Sequence, residues 1–232
     1  MVTKSSLLLI LLSGFLAACN LASLKSGAEI ATQTSVPPVS LPFPSSQPPT
    51  DAPIEIVLSP TSSSIAPNQA VLDRANQAVQ TLKNQDFVSL SGFIHPYDGV
   101  RFSPYAYVKD SDQVFSADEI MNILSDTGIY TWGAYSGTGE SINLSFPEYY
   151  SKFIYDQDFT NAPKVALNQR LSAGNSIDNS TEFYPGAMIV EYYFPGFDPQ
   201  YSGMDWRSLR LVFSEDNGTW YLVGIIHDEW TP

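Results

Sequence analysis

The chain of 232 residues is poor in cysteine, in histidine and in positive charge. Cys19 is its single cysteine, so no disulfide can form within the chain and the fold must be held by its core. One cysteine and two histidines argue against a zinc cluster. Only 11 basic residues stand against 24 acidic ones, so a basic surface for nucleic acid is missing. We therefore expect no metal, no redox chemistry and no nucleic-acid partner.

A long apolar run is also missing, although a short one lies near the start. Lys4 is followed by an apolar stretch, Leu7–Leu12 with Phe15, that is too short to span a bilayer. The tetrapeptide Leu16-Ala17-Ala18-Cys19 closes it. This stretch resembles a bacterial lipoprotein signal with its lipobox. The resemblance implies lipidation of the Cys19 thiol and cleavage before it, the alternative being an ordinary secretory signal with a chance cysteine.

Residues 19–68 contain the lipidated cysteine and a linker. Positions 20–68 hold nine prolines, ten serines and four threonines, and almost no aromatic residue apart from Phe43. Such composition favours extended, solvated backbone and cannot bury enough surface to offset ordering entropy. We predict a disordered tether reaching roughly 40 Å if it behaves as a flexible coil. In the chain, this lipidated linker comes directly after the predicted signal peptide at residues 1–18.

From Gln69 onward the sequence becomes aromatic-rich and patterned, and residues 69–232 suit one domain with a sizeable core. Two basic and three acidic residues precede Gln69, which leaves nine basic and 21 acidic residues and a net charge of −12. This charge repels anionic lipid and nucleic acid. It would tolerate cationic or neutral ligands better than anionic ones.

Helical signals occupy the first part of the domain, and strand signals the rest. Residues 69–83 have helical periodicity, Asp86 can cap a second short helix, and capping boxes begin at Ser116 and Ser145. The predicted strands are residues 100–103, 129–136, 141–146, 165–171 and 187–194, followed by a terminal hairpin. This order predicts an α+β domain whose helices pack on one face of a sheet.

The terminal hairpin allows its register to be predicted. Asn217-Gly218 is typical of a two-residue type I′ turn, which places Phe213 opposite Leu222. If the same register continues along both strands, Leu211 would face Gly224, Leu209 would face Ile226, and Arg207 would face Asp228. We therefore expect an apolar row that ends in an Arg207–Asp228 ion pair at the rim of the sheet.

The element order resembles the nuclear-transport-factor-2-like, or cystatin-like, cone fold. That resemblance implies N-terminal helices packed on a curved antiparallel sheet. A closer resemblance, over essentially the whole domain, is to uncharacterised bacterial lipoproteins with segments like residues 95–105, 203–210 and 222–230. It implies fold and anchoring and transfers no catalytic residue.

Ionisable residues near the ends of strands are the candidates for a site. Cone-fold enzymes such as steroid isomerases move protons with carboxylates or histidines inside the pocket. The alternative to a binding role is therefore a cofactor-independent lyase or isomerase with His227 or Asp228 as the general base, unless Asp228 forms a structural salt bridge with Arg207. The ligand-pocket candidates are Arg101, Trp132, Arg207, His227 and Asp228. Asp110-Ser111-Asp112 and Asp156-Gln157-Asp158 lack the glycine and distal glutamate of an EF-hand, so we expect solvated turns there.

Aromatic residues are plentiful, with 13 tyrosines, 13 phenylalanines and four tryptophans. They could line a ligand pocket or a protein-binding surface, or they could form the core of a disulfide-free domain. We favour a lipid-anchored, extracytoplasmic protein at the cell membrane or outer membrane that binds a small ligand or an envelope protein partner. It would use no cofactor and is less readily interpreted as an enzyme.

Replacing Cys19 by serine tests the anchor. The thiol is the only lipid acceptor that the lipobox offers, so the variant should lose its acyl chains and leave the membrane fraction. Mass spectrometry of the native protein should find a lipid-modified Cys19 as the first residue. An unmodified thiol or an uncleaved leader would contradict the prediction.

Overall fold

The computed structural model describes residues 67–172 and 174–231. The predicted signal peptide, Cys19 and nearly all of the predicted tether lie outside the described residues. Within the described part of the chain, no helix is long and apolar enough to cross a membrane.

The helices are short apart from the first, and local capping explains where they begin. The α-helices of the described residues are α1 (Pro67–Lys83), α2 (Phe87–Ser91), α3 (Ala117–Met121), α4 (Phe146–Tyr149) and α5 (Ser180–Phe183). The Asp86 side chain accepts the Ser89 amide at the start of α2. The predicted capping boxes at Ser116 and Ser145 are both formed, which confirms two helix starts. A π-helical turn, Tyr150–Ile154, continues α4.

The strands form two sheets. They are β1 (Val100–Ser103), β2 (Gln113–Phe115), β3 (Ile129–Ala134), β4 (Ser141–Ser145), β5 (Lys164–Leu167), β6 (Met188–Phe194), β7 (Arg207–Asp216) and β8 (Thr219–Glu229). Six of them form a curved sheet in the order β2-β1-β8-β7-β6-β5, and β3 pairs with β4 in a separate hairpin. The expected all-antiparallel sheet is wrong at one place, because β1 pairs with β8 in parallel. Parallel pairing is possible because α3, the β3–β4 hairpin and other elements separate the two strands in the chain.

One extra residue in β8 shifts the register of the terminal hairpin. Asn217 and Gly218 both have positive φ, as the predicted type I′ turn requires, and Phe213 faces Leu222 as expected. Beyond them the register shifts, so that Val212 faces Gly224 and Val223 is left as a β-bulge. The other predicted pairs are therefore wrong. The observed pairs are Leu211 with Ile225, Leu209 with His227, Ser208 with Asp228 and Arg207 with Glu229.

Both faces of the large sheet are covered. Its inner face joins one apolar core with α1, α2, α4 and the β3–β4 hairpin; the sheet contributes Phe102, Val190, Tyr192, Leu209, Leu211, Phe213, Leu222 and Ile225. Its outer face carries a second, smaller core of Ile189, Val212, Val223 and Ile226 under Val108, Phe183 and Tyr184. Because successive residues of a strand point to opposite faces, the bulge decides which β8 side chain joins which core.

Gly224 lies where the bulge meets the outer core, and a side chain there should be costly. A Cβ at this position would lie 2.8 Å from the Tyr184 hydroxyl and 3.2 Å from Val212 Cγ2. We expect Gly224→Ala to lower the free energy of unfolding by about 1–3 kcal/mol, which is typical of overpacking. Denaturant unfolding measures the change.

Tyr184→Phe supplies the control for this prediction. The Tyr184 hydroxyl is buried and has no hydrogen-bond partner among the described residues, so its removal alone should cost little. In the Tyr184→Phe background, Gly224→Ala should cost less because the closest contact is gone. Equal costs in both backgrounds, or none in either, would contradict the packing of Tyr184 on the bulge.

Candidate functional site

The five predicted pocket residues do not meet in one pocket. Arg101, Trp132 and Arg207 each line a different cleft. His227 and Asp228 are fully buried, and they belong to opposite faces of the sheet because they are consecutive in β8. The structure therefore divides three of the five candidates among separate clefts and places His227 and Asp228 in none of those three.

The Trp132 cleft has a volume of about 310 Å³ and aromatic walls. We define it by Tyr105, Tyr107, Lys109, Asp112 and Trp132, which all line it. Trp132 itself is fully buried: its ring stacks on Tyr149 at a centroid distance of 3.8 Å, and its indole N–H donates to the Leu144 carbonyl. Trp132 is therefore part of the floor, and the ring of Tyr107, which is 49% exposed, is the accessible wall.

Asp112 brings a buried carboxyl to this cleft. Its Oδ2 accepts hydrogen bonds from the Ser103 hydroxyl at 2.6 Å and from the Lys109 amide at 2.9 Å. Burial raises the pKa of Asp112 above its ordinary value, although these hydrogen bonds and the nearby charges of Arg101 and Lys109 oppose the shift. A ligand donor that reached this carboxyl would meet an acceptor already fixed in place.

The Arg101 cleft, about 360 Å³, lies beside the outer core and is lined by Arg101, Val114, Phe183, Tyr184 and Val223. One guanidinium nitrogen, Nη1, donates to the carbonyls of Lys109, Asp110 and Asp112, each at 3.0 Å. The guanidinium also lies over the Phe183 ring, 5.1 Å from its centroid. Arg101 therefore holds the turn at residues 109–112, which contributes Lys109 and Asp112 to the Trp132 cleft.

The Arg207 cleft, about 320 Å³, lies at the end of the terminal hairpin. Its lining residues are Tyr201, Met204, Asp205, Arg207, Glu229 and Trp230. Arg207 does not pair with Asp228, so the predicted rim salt bridge is wrong. Its Nε donates to Asp156 Oδ2 at 2.8 Å and its Nη2 lies 3.2 Å from Glu229 Oε2, because the bulge has moved Asp228 to the other face.

His227 is buried on the inner face between two oxygen acceptors. Nδ1 lies 3.2 Å from the Pro104 carbonyl, and Nε2 lies 3.4 Å from Asp156 Oδ2, which is an ion-pair distance without the geometry of a hydrogen bond. Only the imidazolium carries a proton on both nitrogens. Burial is the largest single effect and would lower the pKa of His227, but the Asp156 carboxylate, the Glu229 charge and the Pro104 carbonyl together outweigh it and the net shift is upward. We infer that the fold favours the charged form.

Asp228 belongs to a buried polar cluster on the outer face that the sequence analysis missed. Arg170 Nη2 donates to Asp228 Oδ2 at 3.0 Å, and Arg210 Nη1 donates to Asp178 Oδ2 at 2.7 Å. Glu191 Oε1 accepts hydrogen bonds from the Ser172 amide and the Ser208 hydroxyl. Burial raises the pKa of Asp228 and the Arg210 and Arg170 charges oppose the shift. A charged residue inside each apolar strand, Glu191 in β6 and Arg210 in β7, was the available signal.

Two further findings concern metal ligands and the candidate bases. Among the described residues, no group of three or more histidine, cysteine, aspartate or glutamate side chains could hold a metal ion. His227 and Asp228 line none of the three clefts, so a substrate bound in any of them would not reach either candidate base.

Comparisons with known proteins assign no family. No family model and no curated protein matches the chain. A solved structure from Xanthomonas campestris, described as a calcium/calmodulin dependent protein kinase II association domain, is 16% identical and has a TM-score of 0.29. It covers 70% of this chain and 84% of its own. A similarity of this size assigns no function.

The charged form of His227 predicts a pH dependence of stability. Since the folded pKa lies above the unfolded value of about 6.5, the stabilisation is complete below that value and is lost as pH rises through the folded pKa. Urea unfolding across neutral pH should show the free energy of unfolding falling in this window. Asp156→Asn should flatten the dependence.

Glu229→Gln is the matched control for this measurement. It removes the other carboxylate partner of Arg207 but leaves the Asp156 carboxylate beside His227. This variant should retain most of the pH dependence. A histidine resonance of His227 that titrates below about pH 6.5 would contradict the assignment.

Proposed function

We propose that the chain is a lipid-anchored extracytoplasmic protein whose domain binds a small uncharged ligand in the Trp132 cleft. The observation that carries the proposal is the convergence of aromatic rings and one buried carboxyl, Asp112, in a cleft of about 310 Å³. Sites for small molecules have volumes of about 300–1,000 Å³ and combine apolar walls with a few fixed polar groups. The cleft has both properties.

The charges of the cleft favour an uncharged ligand. Lys109 and Asp112 both line it, and their opposite charges leave its walls without net charge. Tyr105 and Tyr107 offer ring faces, and the Ser136 amide already donates to the Tyr105 hydroxyl at 3.3 Å, which helps to fix that ring. A ring compound with a hydrogen-bond donor for Asp112 suits this lining.

The lipid anchor and the tether complete the proposal. A lipidated Cys19 would hold the protein at the cell membrane or the outer membrane, since two or three acyl chains anchor stably. A tether of 47 residues, at positions 20–66 before α1, would let the domain stand clear of the bilayer. The resemblance to uncharacterised bacterial lipoproteins supports this arrangement and names no ligand.

We infer further that the helices and the large sheet form a cone of the nuclear-transport-factor-2-like type. In support, α1 packs on the inner face: Val71, Ala75 and Leu82 share its apolar core, and the Tyr192 hydroxyl of β6 donates to Asn76 of α1 at 3.0 Å. In such a cone the ligand would enter beside β3, where the Trp132 cleft opens.

Ligand-observed NMR with uncharged ring compounds tests the proposal. Benzamide, phenol and methyl glucoside are the probes, and at least one should bind to the full-length protein. Tyr107→Ala should weaken that binding about 2- to 10-fold, because the accessible ring face is lost. Tyr107 is an exposed residue, so the variant should fold normally.

Phe197→Ala is the matched control, since Phe197 is equally exposed and lines no part of the Trp132 cleft. It should leave the affinity unchanged. Failure of all three probes to bind, or equal losses in both variants, would count against this cleft and would favour an envelope protein as the partner.

A further inference from the structure

The Arg207 cleft is lined by three large apolar side chains that are partly exposed to solvent. Tyr201, Met204 and Trp230 line it and are 49%, 47% and 40% exposed. Two aromatic rings and a thioether facing solvent in one cleft are unusual for a domain that buries most of its large apolar residues. Such side chains are enriched where proteins recognise ligands or partners.

The positive charges near this cleft are already neutralised. Arg207 donates Nε to Asp156 and lies against Glu229 through Nη2, and its Nη1 donates to the backbone carbonyls of Asp205 and Trp206. His227 lies on the far side of Asp156. Two positive groups, Arg207 and His227, therefore match two negative groups, Asp156 and Glu229.

Once these four groups are paired, the carboxylate of Asp205 is a negative charge of the cleft without a matching cation in the part of the chain that the structure describes. Its Oδ2 accepts the amides of Phe197 and Asp198, at 3.0 and 2.8 Å, its Oδ1 is buried without a hydrogen-bond partner among the described residues, and the residue lines the cleft. These backbone hydrogen bonds hold the pKa of Asp205 below its ordinary value, so it stays ionised at neutral pH. The exposed Asp198 lies next to it in the same loop, where its side chain accepts the Gln200 amide. The cleft is therefore negative.

We propose that the Arg207 cleft binds an organic ammonium group against the rings of Tyr201 and Trp230, which both line it. An ammonium ion is attracted to the faces of aromatic rings, and Trp is the best of them. The thioether of Met204 and the negative charge of Asp205 complete a lining of the kind that takes a methylated ammonium. The site is separate from the Trp132 cleft and does not depend on the function proposed for it.

The alternatives fit this lining less well. An anion would meet Asp205 and the negative domain, and the nearby guanidinium of Arg207 already faces the carboxylates of Asp156 and Glu229. A purely apolar ligand would leave the ionised Asp205 desolvated and unpaired, which is costly. A compact cation with methyl groups satisfies both the rings and the charge.

The test compares choline with its uncharged isostere, 3,3-dimethylbutan-1-ol. Both are titrated into the full-length protein at constant ionic strength and followed by saturation transfer to their methyl protons. Choline should bind, and the isostere should bind about 2- to 30-fold more weakly, the range that a cation–π contribution supports. No binding of choline, or equal binding of both, overturns the proposal.

Substitutions then locate the binding. Trp230→Leu keeps an apolar side chain but removes the ring and should lower the affinity for choline about 2- to 30-fold, whereas Trp230→Phe should restore part of it. Asp205→Asn keeps an oxygen that can accept the Phe197 and Asp198 amides while it removes the charge, and it should also weaken binding. Thermal unfolding confirms that each variant is folded.

Tyr107→Leu, in the Trp132 cleft, is the matched control and should leave choline binding unchanged. Loss of choline binding in this variant, with retention in Trp230→Leu, would place the cation in the other cleft and overturn the proposal. Because the two clefts share no lining residue, a failure here is distinguishable from a failure of the uncharged-ligand proposal.

Discussion

The bulge at Val223 and Gly224 is the constraint on which the arrangement of β8 depends. It changes the pairing of the terminal hairpin by one residue, and a shift of one residue exchanges the faces of a strand. Beyond the bulge, Ile225 and His227 belong to the inner face, and Ile226 and Asp228 to the outer face. Without it, Asp228 would face the inner core in place of His227.

The consequence is that each face of the sheet holds its own set of charges. On the inner side His227, Asp156, Arg207 and Glu229 form a chain of ion pairs that leads from the core to the surface. On the outer side Arg170 pairs with Asp228, and Arg210 pairs with Asp178. Buried charges of this kind persist only when they are paired, and His227 and Asp228 each have an oppositely charged neighbour, Asp156 and Arg170.

The local features of the fold could be predicted, because local chemistry decides them. The strand Val100–Ser103 has the predicted bounds, the capping boxes at Ser116 and Ser145 are formed, and Asn217-Gly218 turns the last hairpin. Each depends on residues within a few positions of one another, so a single sequence contains the necessary information.

The bulge and the sites could not be predicted in the same way. Leu222, Val223, Ile225 and Ile226 are all apolar, so β8 has no alternation from which a one-residue shift could be detected. The parallel pairing of β1 with β8 joins residues far apart in the chain, and no short motif specifies it. Arg101, Trp132 and Arg207 each line a cleft, and their division among three clefts depends on these long-range pairings.

A double-mutant cycle tests the shifted register most directly. Asp228→Ala is combined with Arg170→Ala and, separately, with Arg207→Ala, and the free energy of unfolding is measured for all variants. The account predicts a coupling energy of about 1 kcal/mol or more between Asp228 and Arg170, and additive effects for Asp228 and Arg207. Coupling of Asp228 to Arg207 and not to Arg170 would show the unshifted hairpin and would contradict the account.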